Sequence, residues 1–224
     1  LDTAFASSGA DALANVASIG FGHAPAIVAA AEDAGIHRAV FVSTTAIFTT
    51  LEARSRSVRL AAEAAIKGSS LQWTILRPTM IFGTPDDRNM ARLLRLLAKA
   101  PMVPLPDGGR RLQQPVHVDD LAAAIVNSVE RDVAVGQCYD IAGPEALTFA
   151  QVVEEAGKAL GRSPRIVSVP GRPVVAAVRA YERRANKPKL RAEQLERLGE
   201  DKAFDISAIQ VNTSLLILSV SGIG

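Results

Sequence analysis

Apolar residues along the chain fall into short blocks separated by turn residues. Residues 71–83, LQWTILRPTMIFG, carry Trp73, Ile75 and Leu76 among β-branched threonines and read as a buried strand. Arg77-Pro78 stops it, because proline lacks a ladder donor and restricts the residue before it. Gly83 then turns the chain. Residues 38–48, RAVFVSTTAIF, form a second apolar run that ends in Ser43, Thr44 and Thr45. Residues 57–67 between them have a helical pattern. Strand, helix and strand in about 40 residues make a right-handed βαβ unit. Both strands then end at one sheet edge, where open α/β folds place ligands.

The flanks extend this alternation. Residues 11–17 read as a further strand. Gly20-Phe21-Gly22 makes a turn, and residues 24–34 a helix with Ile27, Val28 and Ala31 inward, closed by Gly35. Beyond Gly83, Pro85-Asp86-Asp87 opens a helix with Met90, Leu93, Leu94 and Leu97 on its apolar face. Residues 101–109 are proline- and glycine-rich, hence loop or short strand. Asp119 is placed to cap a helix over residues 120–129. A strand follows at 137–142. Thr148 and Gln151 fit a capping box for a helix reaching Gly161. Residues 165–169 suit a small strand, and 173–200 look helical with a break near Asn186-Lys187-Pro188. The pattern predicts an α/β protein.

Composition narrows the classes. The 224 residues suffice for one large or two small domains, and 48% are hydrophobic. A formal charge of +2 gives no case for a nucleic-acid partner. The run Arg179, Arg183, Arg184, Lys187, Lys189 and Arg191 reads as a solvated helix face. One cysteine, Cys138, cannot form an internal disulfide, which favours a reducing, cytoplasmic setting. No run reaches the roughly 18 apolar residues of a membrane span. The first residue is leucine. The apolar tail over residues 211–224 has no charge and no functional reading.

Four segments in order, VFVSTTAIF, RLAAE, WTILRPTMIFG and PVHVDDLA, resemble the extended and atypical short-chain dehydrogenase/reductases, the NAD-dependent epimerase/dehydratase group with its NmrA-like relatives. The resemblance covers residues 11–170. It implies a doubly wound parallel, Rossmann-like sheet, N-terminally incomplete, with a smaller C-terminal α/β subdomain. Residues 1–83 would be the C-terminal part of the NAD(P)-binding domain, and 84–224 the substrate-side subdomain with returning elements and a helical end. The family's glycine-rich loop, first strand and ribose carboxylate would precede Leu1. Gly20-Phe21-Gly22 does not replace that loop, because Pro25 stands where a third glycine is needed.

The resemblance also assigns residues. Thr44 aligns with the catalytic Ser/Thr. Glu63 matches the acidic residue four places after the family's lysine, which puts Arg59 at the lysine position and Ser55 at the tyrosine position of YxxxK. Serine is too weak an acid for the tyrosine's role. Arginine keeps the charge for ribose hydroxyls with another geometry. Ala17, Ser18, Ser43, Thr44, Arg59, Pro78, Met80 and Ile81 are the implied cofactor contacts. His117 and Asp119 read as structural, His23 and His37 as surface residues, and none of these makes a metal site.

The implied function is NAD(P) binding with epimerase/dehydratase-like chemistry on a sugar-nucleotide or other hydroxyl or carbonyl compound. The competing reading is a non-catalytic dinucleotide sensor or an assembly protein, favoured by the loss of YxxxK. The cofactor would be NAD or NADP in an intact parent, and these residues alone would lack the pyrophosphate cradle. An uncovered sheet edge would promote self-association.

Overall fold

The computed structural model describes residues 5–51, 54–87, 89–100, 102–186 and 192–213. Within these, Lys187, Lys189 and Arg191 of the basic run, the break at Lys187-Pro188 and most of the apolar tail lie outside the described residues. The chain divides into two compact, interleaved units. Among the described residues, unit 1 holds 5–79, 118–142 and 205–213, and unit 2 holds 80–117 and 143–204.

Unit 1 begins with β1 (Ala12–Asn15) and α1 (Ala24–Asp33), followed by β2 (Arg38–Val42), α2 (Arg54–Lys67) and β3 (Gln72–Pro78). Unit 2 then contributes β4 (Ile81–Phe82), α3 (Met90–Leu97), β5 (Met102–Pro106), β6 (Leu112–Gln113) and β7 (Val116–His117). The chain returns to unit 1 with α4 (Val118–Glu130) and β8 (Gln137–Ile141). It closes with β9 (Leu147–Thr148), α5 (Phe149–Ala159), β10 (Arg165–Val169), α6 (Gly171–Arg184) and α7 (Ala192–Leu198) in unit 2, and α8 (Ser207–Thr213) in unit 1.

The sheet of unit 1 is parallel throughout, in the order β1-β2-β3-β8. This is the Rossmann-like α/β arrangement that the pattern predicts, with Thr44 and Pro78 at the same edge. One face packs Phe41 and Ile75 against Val28 and Ala31 of α1 and Ala62 and Ile66 of α2, with Trp73 at the margin. The other face carries α4, with α8 against α4 and β8. Among the described residues β1 has a neighbour on one side only.

Unit 2 is built of two parallel pairs, β4-β7 and β5-β10, and one antiparallel pair, β6-β9. Its core joins Phe82, Leu97, Val103, Leu105, Val152 and Val153. The Thr148–Gln151 capping box at the start of α5 is present. Gly83, at φ 117°, leaves room for the His117 ring, because a Cβ there would lie 2.4 Å from its Nε2. His117 in turn meets Phe82 edge-on at 5.2 Å.

The strand expected over 11–17 spans Ala12–Asn15 and the helix expected over 57–67 begins at Arg54; three further boundaries differ for a visible reason. The apolar run at 38–48 is not strand to its end: Thr44 Oγ1 accepts the Ala46 N–H and turns the chain into a short 3-10 segment over Thr45–Phe48. The helix after Pro85 starts only at Met90, and Asp87 holds it by accepting the Ala91 N–H. Helix α4 starts at Val118, directly after β7, so Asp119 sits in its first turn and is not its N-cap. His23 and His37 are exposed, as expected.

A buried arginine anchors the N-terminal side of the sheet. Arg38, at the start of β2, donates to the Gln72 carbonyl (2.7 Å), the Val129 carbonyl (3.2 Å), the Ser128 carbonyl and Thr74 Oγ1 (3.2 Å). It therefore satisfies carbonyls at the end of α4 that have no intrahelical partner. Burial lowers its pKa from the ordinary arginine value, partly offset by Asp132 and Tyr139. Arg38→Met should orphan several buried carbonyls at once and cost about 3 kcal/mol or more, as read by urea unfolding. Arg38→Lys should lose less, since one ammonium can keep some of these contacts.

Candidate functional site

The carboxyl edge of the unit 1 sheet is built from three turns. After β1, Ser18 Oγ accepts the Gly20 N–H and caps a 3-10 turn over Ile19–Phe21, which Gly22 ends at φ 82°. The Gly22 N–H is engaged by the Ile19 carbonyl. The Gly20 and Gly22 amides of this turn are thus both engaged within it. After β2, Thr44 Oγ1 plays the same capping role. A hydroxyl that accepts from an N–H keeps its own proton to donate, so Ser18 and Thr44 both offer a ligand a donor. After β3, the Pro78 carbonyl accepts from Thr45 Oγ1 at 3.3 Å.

Helix α2 carries Ser55 in its first turns and brings Arg59 to this edge. Arg59 lies close against the turn after β1: a Cβ built on Gly20 would stand 3.1 Å from Arg59 Nε and 3.4 Å from its Cζ. Gly20 does not have a positive φ, so its missing side chain serves this approach and not the backbone. Ala17 and Ser18 are exposed on the same turn. Met80 and Ile81 belong to unit 2, where Ile81 pairs with Val116.

Ser43 is engaged differently from Thr44. Its hydroxyl donates to Glu63 Oε1 at 2.7 Å, and both groups are buried. Glu63 also accepts from Arg77 Nε (3.1 Å) and Nη2 (2.6 Å). Arg77 Nη1 reaches to 3.8 Å from Asp140, and the guanidinium sits 5.3 Å from the centroid of the Phe48 ring. Burial pushes the Glu63 pKa up, but hydrogen bonds from Arg77 and Ser43 and the charges of Arg77 and Lys67 outweigh it and hold the group below the usual range. Asp140 shifts the other way, because its burial outweighs Arg77. The network was not read from the sequence. Its available signal was Glu63, a carboxylate on an otherwise apolar helix turn between Ala62 and Ala64.

Ser18 and Thr44 offer hydroxyl donors and Arg59 a cation at this edge, groups that could hold a polar, anionic ligand. No group of three or more metal-ligating side chains occurs among the described residues, and no described helix is long and apolar enough to cross a membrane.

Comparison with known proteins bears on this edge. The NAD(P)H-binding family matches residues 2–132. Subunit 9 of the mitochondrial NADH dehydrogenase [ubiquinone] 1 alpha subcomplex of Arabidopsis thaliana is 32% identical over 142 residues, 63% of this chain and 35% of that protein. UDP-glucose 4-epimerase of Vibrio cholerae is 30% identical over 109 residues, 48% of this chain and 33% of the epimerase. The chain thus spans about a third of the length of these two relatives. A variant of UDP-glucuronic acid 4-epimerase from Bacillus cereus, solved with a UDP-sugar analogue and NAD, superposes with a TM-score of 0.72 at 14% identity. That match covers 99% of this chain and 75% of the epimerase, and shows the fold.

The ion pair under the edge makes a pH-dependent contribution. Because the folded pKa of Glu63 is depressed, its stabilisation is full above the unfolded carboxylate value of about 4.3 and is lost as pH falls through the folded value. Glu63→Gln, which strands the buried side of Arg77, should cost about 3 kcal/mol at neutral pH. The gap between wild type and variant should narrow steadily below about pH 4 in denaturant titrations.

Proposed function

The chain belongs to the NAD(P)H-binding family, within the extended short-chain dehydrogenase/reductase and NAD-dependent epimerase/dehydratase superfamily, and from that premise we propose that it holds a dinucleotide without turning it over. The carrying observation is the chemistry of α2. The resemblance puts Ser55 and Arg59 at the positions of the family's tyrosine and lysine, and what supports this reading is that Arg59 lies against the turn at Gly20. A serine hydroxyl does not ionise near neutral pH, so it cannot relay the proton that hydride transfer requires. The chain has two tyrosines: Tyr139 is buried on β8, and Tyr181 is on α6 of unit 2. In this reading Arg59, Ser18 and Thr44 grip ribose and nicotinamide, and the bound dinucleotide supports assembly or sensing. The similarity to a respiratory-complex subunit favours assembly over sensing, and with it a location wherever that assembly resides.

A second reading keeps chemistry. Thr44 has a proton to donate and could polarise a carbonyl or hydroxyl of a sugar nucleotide, in line with the similarity to UDP-glucose 4-epimerase. It requires another group to act as the base.

Titration calorimetry with NAD and NADP, oxidised and reduced, tests the cofactor reading together with a turnover assay on UDP-glucose. Residues 1–224 should show no dissociation constant in the low micromolar range, because in this reading Arg59, Ser18 and Thr44 serve the ribose and nicotinamide, and the pyrophosphate lacks the charge-assisted bonds, each about 1.5–3 kcal/mol, that a glycine-rich turn would supply. At millimolar NADH, amide shifts should appear at Ser18, Gly20 and Thr44 and shrink in Arg59→Ala. No epimerised sugar should form. A low-micromolar constant would relocate the phosphate site, and epimerisation would establish the second reading.

A further inference from the structure

A cleft of about 410 Å³ runs along the flank of α2. Its lining includes Arg56, Leu60 and Lys67 from α2, Ile47 and Phe48 from the 3-10 segment, and Arg77 from β3. Arg56, Leu60, Ala64 and Lys67 follow one another at spacings of four and three, so they form one stripe of the helix. Arg59 sits on the other flank, against Gly20. The cleft therefore opens on the flank of α2 away from Gly20, and neither Ser18 nor Thr44 is in its lining.

Two large apolar side chains are left open here. Phe48 is 49% exposed and Leu60 39% exposed. Arg77 lies against one face of the Phe48 ring and fixes it as a wall. The charges follow a simple balance. Arg56, Lys67 and Arg77 are cationic. Glu63 is already consumed by Ser43 and Arg77, and Asp140 stands 3.8 Å from Arg77. Among the described residues, three cations against two carboxylates leave one positive charge. Arg56 spends its Nε on the Ile47 carbonyl at 2.9 Å, which keeps its terminal nitrogens for another acceptor. Lys67 is 42% exposed and only 3.9 Å from Glu63, a loose pair.

We propose that this cleft binds a small amphiphilic monoanion, its apolar body against Phe48 and Leu60 and its acidic group at Arg56 or Lys67. The volume is in the usual range for small-ligand sites, about 300–1,000 Å³. The single residual positive charge matches a monocarboxylate and does not match the denser charge of a nucleotide. Apolar walls with one cationic end would discriminate against both a neutral alcohol and a bare anion.

The test is a chemical-shift titration of the isotopically labelled chain with octanoate, with octanol and acetate as matched controls. Octanoate should move the amides of Phe48, Leu60 and Lys67 and leave Ser18, Gly20 and Thr44 in place. It should bind at least about threefold to fivefold more tightly than either control, the worth of one partly exposed charge contact. Leu60→Asp should abolish binding, and Arg56→Gln or Lys67→Met should weaken it, with Lys67→Arg restoring it. All three positions are exposed, so the spectra elsewhere should keep the wild-type pattern. Equal affinity for octanol, equal affinity for acetate, shifts centred on Thr44, or no shift at all would each overturn the proposal.

Discussion

The Glu63 carboxylate ties three elements of unit 1 to one another. It stands on α2, takes a hydrogen bond from Ser43 at the end of β2, and is clasped by Arg77 at the end of β3. An ionised carboxylate this deeply covered is tolerated only where counter-charge and donors converge on it. The convergence therefore fixes more than a charge pair. It sets how far α2 can slide along the sheet, and so where Arg59, one turn earlier on the same helix, meets the turn at Gly20. The geometry of the ligand-facing edge is in this sense inherited from a polar contact beneath it.

Much of unit 1 was legible because its strands are short, apolar and bounded. The predicted parallel order of β1, β2 and β3 follows from helix-sized spacers, a local property. The capping box at Thr148 is likewise a local signature. Contacts over long sequence separations were not legible. Arg38 reads as the polar first residue of a strand, yet its partners include carbonyls about 90 residues away. Ser43 and Thr44 are neighbours of the same chemical type, and nothing in a sequence separates the hydroxyl given up to Glu63 from the one that keeps its proton. Arg77 reads as half of an Arg-Pro stop, and the partner that gives it meaning lies 14 residues upstream. Asp119 has the composition of a cap, but β7 runs into α4 without the intervening residue that a cap requires.

The two units share one chain by exchange and not by succession. Unit 2 is inserted between β3 and α4, and again between β8 and α8. A strand end that leads out of one unit, such as Pro78 into Thr79 and Met80, is then also a junction, and backbone there serves two cores. Pro78-Thr79 and Gly143-Pro144 mark two of these crossings with turn-forming residues.

Trp73 has a consequence for anyone following the protein in solution. It is the chain's single tryptophan, and it packs at the margin of the core between the sheet and α1 and α2. Indole emission will therefore report the fate of unit 1 alone. Unit 2 could melt, or dock a partner, in optical silence, and a single smooth fluorescence transition would be no proof that the whole chain unfolds together. A calorimetric trace or a second reporter placed in unit 2 would be needed before any midpoint is assigned to the molecule as a whole.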